Sequence, residues 1–281
     1  MKPELSKFYK DDAYQGFKGE FNPEAFKEYT DFVKSELGKE SLIELGSGSG
    51  AAAYALHMAG IQVTASDIYP ATAQRNFTEK QIPIPVLEID LLNNVLAPDT
   101  APNYSLYRVI EHLEDPQACI EECYRTLKPN GKLIIISPNL LSPLASLKVI
   151  LLSLLRYWKT PVFKRMDGYT FPYGSSLLEA FYFLFRNLFV STQLSLVSKK
   201  PKPRFRVPCM KKPAFSDSDA VFLSEPLTVR NLMKNAGFQI VSFQRPRGTW
   251  IWAGSLWIVG VKPSAHSKIE LTRVEPTVFK I

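Results

Sequence analysis

Ser41-Leu42-Ile43-Glu44-Leu45-Gly46-Ser47-Gly48-Ser49-Gly50-Ala51-Ala52-Ala53-Tyr54-Ala55-Leu56 is the stretch on which the fold turns. Ser41 to Leu45 reads as a short apolar strand. Glycines at alternate positions follow, and then a run of small residues, Ala51 to Ala59, that suits a helix ended by Gly60. A glycine-rich turn between a strand and a helix lets a ligand approach the backbone and the N–H groups of the helix N-terminus. Ile61–Ser66 reads as a second strand closing on Asp67, 21 residues after Gly46. An acid at the end of the second strand, at that distance, can grip ribose hydroxyls.

Outward from this unit the alternation continues. Upstream, Asn22-Pro23-Glu24 is a helix start, with a cap, a proline in the first turn and an acid near the positive end; the helix runs to about Leu37 and stops at Gly38. Downstream come a helix over Ala71–Lys80, a strand over Ile84–Ile89 ending at Asp90, and a fourth strand over Tyr104–Val109. A helix over Pro116–Leu127, a turn at Pro129-Asn130-Gly131 and a fifth strand over Lys132–Ser137, stopped by Pro138, complete the series. Strands alternating with helices at this spacing predict a parallel sheet with helices on both faces, a doubly wound α/β fold. Regular order returns late, with a helix over Pro226–Asn235 ended by Gly237 and strands over Gln239–Phe243 and Trp252–Val261.

Composition narrows the class. The 281 residues are 46% hydrophobic and 22% charged, which excludes global disorder and supplies one large domain, or one domain with an insertion. Three cysteines, Cys119, Cys123 and Cys209, are too few and odd in number for a disulfide scaffold. Reduced intracellular thiols are the simpler reading, so a cytoplasmic chain is expected. Cys119 and Cys123 lack a His or Cys partner pair at zinc-ligand spacing, and Cys119 reads as core. Met1–Lys10 has no apolar core behind a basic start and is not read as a signal peptide. The longest apolar run, Leu140–Leu155, is interrupted by Pro143 and Lys148 and is short for a membrane span.

Gly46-Ser47-Gly48-Ser49-Gly50-Ala51 also satisfies the dinucleotide fingerprint, so the turn alone leaves NAD, S-adenosylmethionine and a ligand-free tight turn open. Order and spacing over a longer stretch go further. Glu44-Leu45-Gly46-Ser47-Gly48-Ser49-Gly50, Asp67, Asp90, Val109-Ile110-Glu111-His112-Leu113 and Leu127-Lys128-Pro129-Asn130-Gly131-Lys132-Leu133 resemble the class I S-adenosylmethionine-dependent methyltransferases. The nearest flavour is the small-molecule branch with the ubiquinone-biosynthesis O-methyltransferases. The resemblance covers residues 24–139 and, weakly, 217–262. It implies a Rossmann-like, doubly wound, mostly parallel seven-stranded sheet with an antiparallel C-terminal strand, here carrying a helical insertion.

The resemblance also implies roles. Gly46, Ser47, Gly48 and Gly50 would pass close to the methionine part of the cofactor. Glu44 would help anchor its amino group, Asp67 would take the ribose hydroxyls, Ile68 would pack on the adenine, and Asp90, with Leu91 beside it, would contact the adenine edge. A cationic sulfonium and an ammonium suit a site flanked by Glu44, Asp67 and Asp90. Methyl transfer is an in-line displacement that gains mainly from alignment, and a base is needed only where the acceptor carries a proton at neutral pH. His112 is the candidate base, because its charge changes near pH 7; the competing reading is a histidine that orders the loop after the fourth strand. His57 falls in the first crossover helix and His266 in the tail.

The chain departs from the family pattern in two places. Ubiquinone-type members carry an acid three residues before the Glu-His pair and can bind a divalent metal there; here that position is Arg108, which argues against a metal. The fourth strand usually opens with an aromatic-Asp pair, and here the stretch is Ala101-Pro102-Asn103-Tyr104. The absence of an Asn/Asp-Pro-Pro-aromatic motif weakens a nucleic-acid base methylation reading.

The net charge of +7 is unevenly placed. Leu140–Lys212 holds thirteen Lys or Arg against Asp167 and Glu179, a net of +11 that leaves the remainder near −4. The parts are then a cofactor core with its N-terminal helix over 1–139, a basic, aromatic-rich helical insertion over 140–215, a helix and strand hairpin completing the core over 216–263, and a flexible tail over 264–281. Helical stretches are expected around Pro143–Trp158 and Ser176–Val190. The insertion falls where this family builds its acceptor-side lid. Three readings stand: an amphipathic cap with a solvated basic face, attachment to an anionic membrane surface through 140–212, or RNA contact by Lys199–Arg206. The cluster Phe171, Tyr173, Phe181, Tyr182, Phe183 and Phe185 favours burial, a lipid-like acceptor or a membrane face over nucleic acid. The expected function is methylation, chiefly at oxygen, of a small-molecule or lipid-linked acceptor. A non-catalytic cofactor-binding or membrane-associated scaffold, an RNA methyltransferase and an NAD-dependent oxidoreductase are the alternatives.

Overall fold

Strand β1, Leu42–Leu45, is buried along its whole length, as a central parallel strand covered on both faces must be. In a computed structural model of the chain, which describes residues 21–142, 184–185, 188–190, 202–205, 220–243 and 254–264, β1 lies in a seven-stranded sheet. The other strands are β2 (Val63–Asp67), β3 (Val86–Glu88), β4 (Tyr104–Tyr107), β5 (Lys132–Pro138), β6 (Gln239–Phe243) and β7 (Ser255–Val261). Their order is β3-β2-β1-β4-β5-β7-β6, with β1 to β5 parallel and β7 antiparallel to both β5 and β6. A single antiparallel strand wedged between β5 and β6 departs from the 3-2-1-4-5-6 order of dinucleotide-binding sheets. It matches the ending expected from the methyltransferase resemblance.

Strand parity divides the core into two layers. Leu133 and Ile135 of β5 join one buried cluster, Ile134 and Ile136 the other. Leu256 and Ile258 of β7 side with the first pair, Trp257 and Val259 with the second. Helices α4 (Pro116–Thr126) and α5 (Pro226–Ala236) supply Ile120, Cys123, Leu232 and Met233 to the first layer. Helices α1 (Lys27–Leu37), α2 (Ala51–Met58) and α3 (Ala71–Glu79) supply Tyr29, Val33, Leu56 and Phe77 to the second. Cys119 is fully buried, as expected of a core residue.

The start at Asn22 and the stop at Gly237 follow the sequence signals, and Asp115 and Glu225 add side-chain caps at α4 and α5. Asn22 accepts the Glu24 N–H before a 3₁₀ turn, Pro23–Phe26, that opens α1. Asp115 accepts the Ala118 N–H at α4, and Glu225 accepts those of Leu227 and Thr228 at α5. Gly237, in the left-handed region at φ 106°, ends α5.

Several boundaries differ from expectation; β1 starts at Leu42 rather than Ser41, and β2 covers Val63–Asp67 rather than Ile61–Ser66. β3 covers only Val86–Glu88 of the expected Ile84–Ile89. β4 stops at Tyr107, because Arg108 takes φ 57° and leaves the strand path; Val109 is therefore a loop residue. Pro138 is the last residue of β5 and pairs with Ser255. Of the expected helical stretches, Pro143–Trp158 lies outside the described residues, and within Ser176–Val190 the described residues 184–185 and 188–190 are helical. Phe171, Tyr173, Phe181, Tyr182 and Phe183 also lie outside the described residues, as do Trp252 and the tail beyond Ser264. The basic run is described at 202–205, where Phe205 bridges to Phe222 and the Arg204 carbonyl accepts the Leu223 N–H at 2.8 Å.

Candidate functional site

Strand order reverses between β1, whose next neighbour in sequence lies on one side, and β4 on the other. In open α/β sheets the crevice beyond the strand ends at such a point is where ligands bind. Two loops meet there: 46–50 after β1 and 108–113 after β4. They touch, since a Cβ added to Gly46 would come within 2.6 Å of Val109 Cγ2.

The glycines serve different ends. Gly46 and Gly50 make room for protein: a Cβ on Gly50 would sit 2.5 Å from the Phe77 ring, and Gly50 itself adopts φ 85° to start α2. Gly48, at φ 53°, faces open space, so it is the position where the backbone is bare toward a ligand. The loop is held in shape by Ser47 N–H to Ser66 O at 2.8 Å, Gly50 N–H to Ser47 O at 2.8 Å and Asn76 Nδ2 to Ser49 O at 2.9 Å.

Glu44 precedes this loop and is 1% exposed. By parity it faces the α1–α3 layer, among apolar side chains. There the Tyr29 hydroxyl lies 3.3 Å from its Oε1 and 2.8 Å from Ser105 Oγ. Its other oxygen, Oε2, is buried with no hydrogen-bond partner among the described residues. Burial pushes the Glu44 carboxyl up to about 8, against the stabilising pull of the Tyr29 hydroxyl and of the Ala53 N–H in the first turn of α2. Such a group needs a cation or a donor beside it before it is comfortable as a carboxylate.

Asp67 ends β2. Its Oδ2 accepts the Gly48 N–H at 2.8 Å and its Oδ1 the Tyr69 N–H at 2.9 Å. Burial raises its carboxyl above the ordinary value, and those N–H groups act in the opposite direction. The Asp67 carbonyl accepts the Ile89 N–H at 3.1 Å, which brings the exit of β3 beside that of β2. Asp90 follows there. It is exposed, with Oδ1 accepting the Leu92 N–H at 3.0 Å. Ile68 is half-buried, and Leu91 packs against the first core layer. Glu44, Gly48 and Asp67 thus form one connected wall, with Asp90 at its edge. An ammonium suits the buried Glu44 oxygen, and a diol suits the acid at the end of β2, so the residues present fit S-adenosylmethionine.

The loop after β4 differs in kind. Glu111 and His112 lie on a short 3₁₀ turn, Ile110–His112. Glu111 is fully buried; its Oε2 accepts from Ser137 Oγ at 3.0 Å, and its carbonyl accepts the N–H groups of Val221 and Phe222 at 2.8 and 2.9 Å. Ser137 Oγ also lies 3.0 Å from Ser224 Oγ, which donates to the Pro138 carbonyl at 2.7 Å. His112 keeps 18% of its side chain exposed, with Nε2 3.9 Å from Glu111 Oε1. Among the described residues no group of three or more His, Cys, Asp or Glu is placed to hold a metal ion.

Tyr29, Ser105, Ser137 and Ser224 escape sequence reasoning, because each enters the site through sheet register or a contact distant in sequence. Glu44 and Ser105 are register partners on β1 and β4.

Comparisons with known proteins agree with the motifs. Residues 43–135 match the family described as "Methyltransferase domain". A ubiquinone biosynthesis O-methyltransferase of Xylella fastidiosa is 30% identical over 108 residues, 37% of this chain and 44% of that protein. One from Xanthomonas oryzae pv. oryzae is 28% identical over 116 residues, 39% of this chain and 48% of that protein. The chain therefore spans about half the length of the curated relatives it matches. Among solved structures, a Pyrococcus horikoshii protein aligns with TM-score 0.53 at 15% identity, over 94% of this chain and 100% of that one. The 1,6-didemethyltoxoflavin-N1-methyltransferase of Burkholderia thailandensis, solved with its substrate and S-adenosylhomocysteine, aligns with TM-score 0.52 at 12% identity, over 93% and 88%. The chain has the class I methyltransferase fold and resembles the S-adenosylmethionine-dependent methyltransferases, ubiquinone-type members included.

Proposed function

We propose that the protein transfers a methyl group from S-adenosylmethionine to an oxygen of a small or lipid-linked acceptor. The observation that carries this reading is the set of Glu44, Gly48 and Asp67 at the sheet's switch point: a buried carboxylate oxygen without a hydrogen-bond partner among the described residues on β1, and after it a bare left-handed backbone position bonded to Asp67. The cofactor supplies the electrophilic methyl group. Asp67 holds the ribose hydroxyls, Glu44 the ammonium, and Ile68 and Asp90 flank the adenine. The protein's main contribution is alignment, which supplies up to roughly 7–11 kcal/mol in favourable cases. His112 takes the acceptor hydroxyl's proton from its partly exposed place on the turn after β4. Oxygen as the acceptor atom is supported by the ubiquinone biosynthesis O-methyltransferases among the matched relatives.

The test is transfer of labelled methyl from S-adenosylmethionine into fractionated metabolite and lipid extracts. Label in a hydroxyl-bearing fraction, lost in the Asp67→Ala variant, is the expected result. Cofactor binding with no label in any fraction would favour the non-catalytic scaffold.

A membrane-facing role for the insertion is the second reading. Phe185 and Phe189 are 64% and 70% exposed, and Leu188 is exposed beside them. By their spacing in the sequence these three stand at i, i+3 and i+4, as one face of a helix would have them, within a segment of net +11. Among the described residues no helix is long and apolar enough to cross a membrane, so contact would be at the surface. Flotation with anionic vesicles at low salt tests this: the protein should rise with the vesicles, and protein left at the bottom rejects it.

A further inference from the structure

Glu44 is an anomaly of its layer. The strand segment Leu42-Ile43-Glu44-Leu45 is buried throughout, and the face that Glu44 shares with Tyr29, Val33 and Ala65 is mostly apolar. A carboxylate there carries a desolvation cost that only hydrogen bonds or an opposite charge can offset. The chain provides one side of that compensation. Ser105 is the register partner of Glu44 on β4 and projects to the same face. Tyr29, from α1, reaches over both, with its hydroxyl 3.3 Å from Glu44 Oε1 and 2.8 Å from Ser105 Oγ. Its ring cannot swing freely, because it stacks on Tyr107 at 4.3 Å and 20°.

We propose that Tyr29, backed by Ser105, is a positioning residue that holds Glu44 by Oε1 and so reserves the buried Oε2 for the ammonium of the cofactor. This deepens the methyltransferase reading and rests on it. The direction of the hydrogen bonds matters. A tyrosine hydroxyl has a single proton. With Ser105 Oγ donating to the Tyr29 oxygen, that proton is committed to Glu44, and the two hydroxyls form a short chain ending on the carboxylate. The same chain makes α1 part of the cofactor site, although it lies upstream of the glycine loop.

The test is a calorimetric titration of the full chain with two probes: S-adenosylhomocysteine, which carries the ammonium, and 5′-methylthioadenosine, which shares the nucleoside and the sulfur but lacks the amino-acid part. Tyr29→Phe should weaken S-adenosylhomocysteine about tenfold, the worth of one hydrogen bond to a charged group. It should leave methylthioadenosine within twofold and shift the rise in S-adenosylhomocysteine affinity to higher pH. Ser105→Ala should act in the same direction, more weakly, and guards against a Tyr29 variant that does not fold. In a Glu44→Gln background Tyr29→Phe should have no further effect on either probe. Equal losses for both probes, or no loss for either, would overturn the proposal while leaving the cofactor reading intact. A wild type that binds neither probe overturns the cofactor reading and this proposal with it.

Discussion

Glu44 and Glu111 are the same residue type, both almost wholly buried, each placed just beyond or at the end of a central parallel strand. Their surroundings make them different groups. Around Glu111 the chain is lacing itself together: Ser137 donates to the carboxylate, and Val221 and Phe222 donate to the carbonyl, tying the returning segment 220–224 to the loop after β4. In each carboxylate one oxygen takes a hydroxyl, Tyr29 at Glu44 and Ser137 at Glu111. The second oxygen of Glu111 lies 3.9 Å from His112 Nε2, whereas that of Glu44 has no hydrogen-bond partner among the described residues. The comparison teaches that burial alone does not mark a ligand site; what lies beside the second carboxylate oxygen, a histidine at Glu111 and no such side chain at Glu44, separates the two. On the proposed function the β1–β2 half receives a cation, while the β4–β5 half fixes a loop that carries His112.

The strongest way to sharpen that contrast is at His112. His112→Ala should lower methyl transfer by about 100-fold or more, the typical worth of a general base, and leave S-adenosylhomocysteine affinity within about twofold. A single-turnover assay beside a binding titration separates the two. An unchanged rate would reduce the β4 turn to a purely structural element.

Next in size is the pair Gly50→Ala and Gly48→Ala. The first combines an unfavourable φ of 85° with a Cβ driven to 2.5 Å from Phe77, and the second meets only an unfavourable φ of 53°. Losses of about 3 and about 1 kcal/mol in urea unfolding are expected. Equal losses would mean that the loop is not packed as described.

The pH dependence comes third. With the Glu44 carboxyl near 8 in the folded protein, it is protonated at neutral pH and must release that proton to hold an ammonium. Affinity for S-adenosylhomocysteine should therefore rise between about pH 6 and 7.5, by up to roughly tenfold per unit. Glu44→Gln should flatten the curve. The stability effect has the opposite sign. A carboxyl whose folded value lies above its unfolded one makes folding take up a proton, so this contribution weakens as pH rises from the ordinary carboxylate range toward 8.

The smallest effect belongs to the β4–β5 side. Ser224→Ala removes a buried donor to the Pro138 carbonyl and should cost about 1 kcal/mol of stability with no change in cofactor affinity. A thermal melt and one titration decide it.

Much of this fold is legible in the chain itself, because its signals are local. Asn22 and Gly237 mark helix ends by capping chemistry, and each does so in the structure. Glu44 and Asp67 stand out because acids at strand ends flank a glycine loop. The parts that escape are those where one residue's role is set by another far along the chain. Arg108 takes a left-handed φ that nothing in its neighbours announces, and Val109 leaves the strand as a result. Tyr29 reads as one more apolar position of an amphipathic helix; its hydroxyl gains meaning only because register sets Ser105 beside Glu44. Likewise the sequence does not announce that Gly46 and Gly50 pack closely against Val109 and Phe77.

The most direct measurement is a titration of the full chain with S-adenosylhomocysteine at pH 7.5, in the wild type and in Asp67→Ala. Saturable one-site binding in the micromolar range, weakened about tenfold or more by the substitution, is the expected result. No binding by the wild type up to about 1 mM, the affinity at which only about 4 kcal/mol is gained, would contradict the assignment of the β1–β2 half as a cofactor site.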